Sequence, residues 1–304
     1  MKILRLLSIV GALGVGSVTL TACDASPYAA SVNGQVISVN SLNHVLEAWA
    51  SNQAWVQGFD AASSPSQGGD GTTVVGAGGP GTYTAKFVAL ILTTQIEVDA
   101  VHQHLASTGH TPSADEVVAS RAVNEYLRSQ YWTQFPQQVR NFFVERLAGW
   151  AALTPVPTNT SNLQGPYGEI QPYLFSKVCV TEAAAFDQAK AKQIIASGNV
   201  TGTEVCFDQT QLERQSPQFQ DAVRKLTKVG EISSAVRTDF GYQVLQLTRR
   251  VTPPLNADVQ RVIVAAETPP TALSGIVDSA RVKVNPRYGS WSNGQVQPPQ
   301  QTKS

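Results

Sequence analysis

The chain has 304 residues, and its 22 Lys and Arg balance 22 Asp and Glu. Charged residues make up 14% of it, below the roughly 25% usual for globular proteins, so neither a basic nucleic-acid surface nor a strongly acidic tail is indicated. The length suffices for about two domains.

The first residues carry Lys2 and Arg5, then an apolar stretch to about Leu20 that ends in Leu20-Thr21-Ala22-Cys23. That stretch is shorter than the roughly 20 residues needed to cross a bilayer. A basic start, a short apolar core and small residues before a cut site predict a signal peptide over 1–22. The cysteine directly after Leu-Thr-Ala resembles the bacterial lipoprotein signature, so Cys23 is expected to carry lipid and to begin the mature chain. The remainder is then an extracytoplasmic protein held at a membrane. Cys179 and Cys206 are an even pair in an oxidising compartment. They read as a disulfide, stabilising by about 3–4 kcal/mol in the chain-entropy picture, or as two buried thiols.

Asn33-Gly34 between short apolar runs predicts a hairpin over 28–38. A helix is expected over 41–56 from Leu42, Val45, Leu46 and Trp49 on one face. Residues 57–82, rich in Gly, read as a flexible loop and not a phosphate loop, since no Gly-Lys-Ser/Thr follows. Helices are predicted over 83–107, over 114–130 behind the capping-box pattern Ser113-x-x-Glu116, and over 136–153. Four prolines at 155–172 mark a linker. A module of alternating type follows: strand 175–180, helix 182–196, strand 204–207, helix 217–226, strand 242–248. Beyond Pro253-Pro254 come a strand over 259–265, a helix over 271–279 and a strand over 280–284, the last expected to pair with the N-terminal hairpin because edge strands need partners. Residues 292–304 read as a disordered tail.

The stretch Lys228-Val229-Gly230-Glu231 leading to Phe240-Gly241-Tyr242-Gln243, preceded by Ser216-Pro217-Gln218-Phe219, resembles a parvulin-type peptidyl-prolyl isomerase domain. The N-terminal part, Ala30 to Ser38 followed by helices, resembles the chaperone half of SurA and PrsA proteins. Together the resemblance covers most of 28–290. It implies an α+β fold: a mostly helical chaperone-like domain over 27–153 completed by 253–291, and an inserted parvulin-like domain over 173–250. The implied partners are unfolded exported polypeptides.

The departures bear on activity. Parvulins carry one histidine on the first strand and another after Gly-Tyr on the last; the aligned residues here are Lys177 and Gln243. The central-strand Asp or Cys aligns with Thr203, with Cys206 three residues on. Losing both histidines should severely damage isomerisation of a bond whose barrier is roughly 18–20 kcal/mol. Phe219 and Phe240 occupy positions the family uses near the proline ring; they read as a peptide-holding pair or as ordinary core. The expected function is a membrane-anchored foldase or holdase with weak or no isomerase activity, against an active isomerase with a non-standard site or a structural surface lipoprotein. No cofactor or metal is expected. His102 and His104 point to different faces of a helix, and neither Cys-x-x-Cys nor Gly-x-Ser-x-Gly occurs.

Overall fold

A computed structural model describes residues 28–299, so the signal segment 1–22 and Cys23 lie outside the described residues. The chain is α+β: helices with small antiparallel sheets. Strands β1 (Tyr28–Val32) and β2 (Gln35–Ser38) form the expected hairpin. Ser38 then caps α1 (Val39–Ala50) by accepting from Ser41 N. The helix expected over 41–56 is broken in two, because Asn52 caps a new helix, α2 (Gln53–Ala62), through Trp55 N. This places Trp49 and Trp55 edge to face at 4.9 Å.

Residues 57–82 are not the free loop that glycine content suggests: 57–62 complete α2, and the rest is tied down. Asp60 accepts from Val74 N, Val75 bridges to Tyr83, and Val74 is fully buried. The long α3 (Ala85–Ser107), capped by Thr84, carries Phe87, Ile91, Leu92 and Ile96 into the first core. Helix α4 (Ala114–Leu127) has the capping box that Ser113 and Glu116 spelled out, and α5 (Gln137–Leu153) follows. The expected linker holds a short helix, α6 (Gln164–Ile170); Leu163, Ile170 and Leu174 are buried in a second core with α4 and α5.

Next comes a four-stranded sheet in the order β4-β3-β6-β5. Its members are β3 (Lys177–Ala185), β4 (Thr203–Phe207), β5 (Val236–Thr238) and β6 (Gly241–Val251). Strand β3 runs five residues past its expected end. Asp187, which accepts from Lys190 N, delays α7 (Gln188–Ser197) until the strand is complete. Helices α8 (Gln209–Glu213) and α9 (Pro217–Lys225) cover one sheet face with Leu212, Phe219 and Val223, over Val180, Leu245 and Leu247.

The segment expected as a strand over 259–265 is instead α10 (Ala257–Glu267), capped by Asn256. Val259, Val262 and Ile263 recur at helical spacing and enter the second core; burial of that face outweighs the strand preference of their β-branched side chains. Helix α11 (Ala272–Ser279) leads to β7 (Val282–Val284), which pairs antiparallel with β1. The expected disordered tail begins inside a hairpin, β8 (Ser290–Ser292) and β9 (Gln295–Gln297). Val296 is buried against α3, and its N–H donates to Thr93 Oγ1 at 2.8 Å. Truncation after residue 281 removes β7 through β9, so it should lower the melting temperature by several degrees; an unchanged melt would contradict the packing of Val296 and β7 into the first core.

The helical part and the sheet meet through buried charge. Arg224 Nε on α9 lies 2.6 Å from Glu125 Oε1 on α4, and Arg121 pairs with Glu213 of α8. Arg140 of α5 donates to Gln220 Oε1 at 2.9 Å, and Gln137 Nε2 donates to Glu213 Oε2 at 2.8 Å.

A peptide-sized cleft at the end of the sheet

The cleft forms where three local structures converge. Ser216 accepts from Phe219 N and Pro217 starts α9, which sets Phe219 at the first turn, facing the sheet. Phe219 is 4% exposed and packs edge to face on Phe207 at 5.5 Å. The β5–β6 hairpin turns through Asp239 and Phe240, with Thr238 opposite Gly241. Gly241 has φ +119°, and a Cβ there would stand 2.7 Å from Ala185 O; only glycine lets the hairpin close on the end of β3. The neighbouring Phe240 is left 95% exposed, as is Phe186 at 96% just past β3. Gly241 closes on the backbone of Phe186, so both exposed rings lie at this end of the sheet, and exposed apolar surface is a feature of interaction sites.

Upstream of this hairpin the Gly230-Glu231 turn is held by the Glu231 side chain. The Glu231 carboxylate accepts from Thr227 N at 2.7 Å and Lys228 N at 3.0 Å, which holds it below the usual carboxylate range. Gly230 N donates to Leu247 O and Leu247 N to Glu231 O, which ties the turn to β6.

Phe219, Phe240 and Gln243 line one cleft of about 500 Å³, with Gln215, Gln218, Arg237 and Asp239 around them. The volume lies in the range of clefts that hold small ligands or short peptide segments. Three of the residues singled out from sequence are therefore brought together. Lys177 is not among them. It is exposed and pairs with Val251, whereas Gln243 pairs with Ala184; seven residues of strand put Lys177 roughly 23 Å away. Strand β3 is longer than its apolar run, so Lys177 at its start and Gln243 opposite its end are held apart.

Register instead puts Glu182 on the Gln243 face. Ala184 opposes Gln243, Glu182 lies two residues from Ala184, and side chains two apart share a face. Thr203 opposes Glu182 from β4, so Thr203 belongs to this face too. Glu182 is half-buried, and its carboxyl is raised above the ordinary value by desolvation. Counting back from the helix cap at Asp187 was the sequence signal that could have found it. Gly202 sits against the same residue: a Cβ there would fall 1.8 Å from Glu182 O.

All four histidines lie between residues 44 and 110, so none belongs to the sheet or its helices. The cleft offers carboxamides, the two hydroxyls of Ser216 and Thr238, one Arg and one Asp, all able to hydrogen-bond a peptide backbone, and no histidine or cysteine lines it. At the other end of the sheet Cys179 and Cys206 are joined as a disulfide between β3 and β4.

No protein-family model matches the chain. No curated protein matches it either. Solved structures do match. A SurA-like chaperone of Campylobacter jejuni is 11% identical over 86% of this chain and 100% of its own, with a TM-score of 0.22. The PrsA peptidylprolyl isomerase of Bacillus cereus is 14% identical over 84% and 92%, TM-score 0.24. The foldase protein PrsA of Streptococcus pneumoniae is 12% identical over 85% and 95%, TM-score 0.25. Superposition this distant carries no argument about the site, which stands on the register and the cleft.

Proposed function

We propose that the chain is an extracytoplasmic folding factor that holds unfolded segments of exported polypeptides, with weak or no prolyl isomerisation. The observation that carries this reading is the cleft itself. It is large enough for a short extended segment, has an apolar floor at Phe219 and a bare ring at Phe240 on its rim, and carries no histidine. In this reading, residues 173–250 are a binding module inserted into a helical domain made of 27–153 and 253–291. A lipid on Cys23 tethers both to the membrane at which exported chains emerge. Among the described residues no helix is long and apolar enough to cross a membrane, so the tether is the proposed membrane contact.

Two assays on the purified chain test the reading. Turnover of a proline-containing peptide should not rise above the uncatalysed rate, and aggregation of an unfolded client should be suppressed. Clear turnover would move the protein into the isomerase class. Absence of both would leave a structural role. Restoring ring chemistry with Glu182→His and Gln243→His should raise turnover more than Lys177→His and Gln243→His, because only the first pair shares a sheet face.

A narrower outcome follows from exposure. Phe240→Ala should reduce client holding severalfold while shifting stability by no more than about 0.5 kcal/mol, since the ring packs on nothing. Client binding by fluorescence anisotropy and melting by circular dichroism separate the two effects.

A further inference from the structure

The register of the sheet sets three side chains in one row across three strands. Cys206 on β4 opposes Cys179 on β3, and Cys179 opposes Arg249 on β6. The pairing of β3 with β6 shifts between Cys179 and Val180, leaving Thr248 as the extra residue on β6. Such a bulge re-aims the next side chain. Arg249 Nη2 accordingly lies 3.5 Å from Cys179 Sγ and 3.9 Å from Cys206 Sγ.

The two sulfurs differ in access. Cys179 is fully buried in a central strand, whereas Cys206 is partly exposed on β4, which is an edge strand. Thiol–disulfide exchange needs the attacking sulfur in line with the bond it breaks. Cys206 stands on the open edge of the sheet, where an incoming thiol can approach it, whereas Cys179 is enclosed between β4 and β6. A neighbouring guanidinium favours thiolate over thiol, and a stabilised leaving thiolate departs faster.

We propose that Cys179–Cys206 is an exchangeable disulfide, with Cys206 the sulfur that is attacked, Cys179 the leaving thiolate and Arg249 the group that stabilises it. The substrate class is an exposed dithiol, on a small molecule or on an unfolded polypeptide. A substrate thiolate attacks Cys206 Sγ, and a mixed disulfide forms there. The bond to Cys179 breaks, and its electron pair stays on Cys179 Sγ beside Arg249. The second substrate thiolate then attacks the substrate sulfur of the mixed disulfide, releases Cys206 as thiolate and leaves as a disulfide. The substrate is oxidised by two electrons, and the Cys179–Cys206 pair is reduced by two. The chemistry lies at the far end of the sheet from the cleft and does not depend on what the cleft holds.

The test uses the full chain with Cys23→Ser, so that this pair holds the only thiols. The folded protein is equilibrated in glutathione buffers of graded ratio, quenched with acid, alkylated and analysed by mass spectrometry. Glutathione adducts are expected on Cys206 and not on Cys179. Arg249→Gln should lower the exchange equilibrium constant about tenfold, equivalent to about 30 mV, and slow adduct formation. Melting of the oxidised form should stay unchanged, which a merely structural arginine would not guarantee. A disulfide that resists the whole glutathione series until the protein is unfolded would overturn the proposal. So would adducts on Cys179, or an Arg249→Gln protein that exchanges like the parent.

Discussion

Replacing Arg224 with methionine should cost the folded chain about 3–5 kcal/mol at pH 8 and distinctly less at pH 6. Removing one partner of a buried ion pair leaves an uncompensated charge, which is where a loss of that size arises. Arg224 and Glu125 are both buried, and the pair lies inside a cluster in which Arg121, Arg140 and Arg224 face Glu125 and Glu213. Among the described residues Arg140 Nε and Arg224 Nη2 find no acceptor, so the cluster is richer in donors than in partners.

Burial outweighs the attraction of Arg224, Arg121 and Arg140 and pushes the Glu125 carboxyl up to about 7 from its ordinary 4.5. A carboxyl raised on folding takes up protons with the native state. Its contribution is therefore fully present below about pH 4.5 and is lost as pH rises through about 7. The loss is on the order of 3 kcal/mol. Glu125→Gln should flatten that part of the stability profile, and the difference between parent and variant in urea unfolding at pH 5, 6, 7 and 8 isolates it. In the Arg224→Met protein the carboxyl loses its nearest cation, so the penalty grows where Glu125 would otherwise ionise. Equal losses at pH 6 and pH 8 would refute this account.

Phe219→Ala carries the second large effect, a loss of about 3–5 kcal/mol from an aromatic removed from a packed core. Its ring fills the space between Phe207, Val223 and the sheet. The cleft floor should collapse with it, so client holding and stability fall together, in contrast to the Phe240→Ala protein. Equilibrium unfolding beside client binding reads both. A Phe219→Ala protein that melts like the parent would show that the ring belongs to the cleft alone.

Much of this architecture is legible locally. The hairpin at Asn33-Gly34, the capping box at Ser113 and the stripe on α3 are each written within one element, and each forms. The Cys179–Cys206 disulfide and the convergence of Phe219, Phe240 and Gln243 were also within reach. What escaped depends on partners distant in sequence. The separation of Lys177 from Gln243 is not visible locally because strand length is set by pairing with β6, and the apolar run of β3 stops short of that length. Helix α10 is not legible locally because its valines suit both strand and helix, and packing against α4 and α5 decides between them. The ordered part of the expected tail, β8 and β9, is held by Thr93 and the surface of α3. The Arg121–Glu213 and Arg224–Glu125 pairs join elements that no local pattern relates.

The pairing of β1 with β7 has a consequence for the order of events in the cell. Asn285 Nδ2 donates to Tyr28 O across 257 positions of chain, and Ala30 is matched with Val284. A polypeptide synthesised N-terminus first presents β1 long before β7 exists. Its first core therefore cannot close until nearly the whole chain has been made, while the sheet of β3 to β6 can close earlier from nearer neighbours. Chains interrupted before residue 282 would carry β1 with an open edge and expose it to proteases. Completion of the helical part thus reports that synthesis has finished, and only full-length molecules reach the protected state.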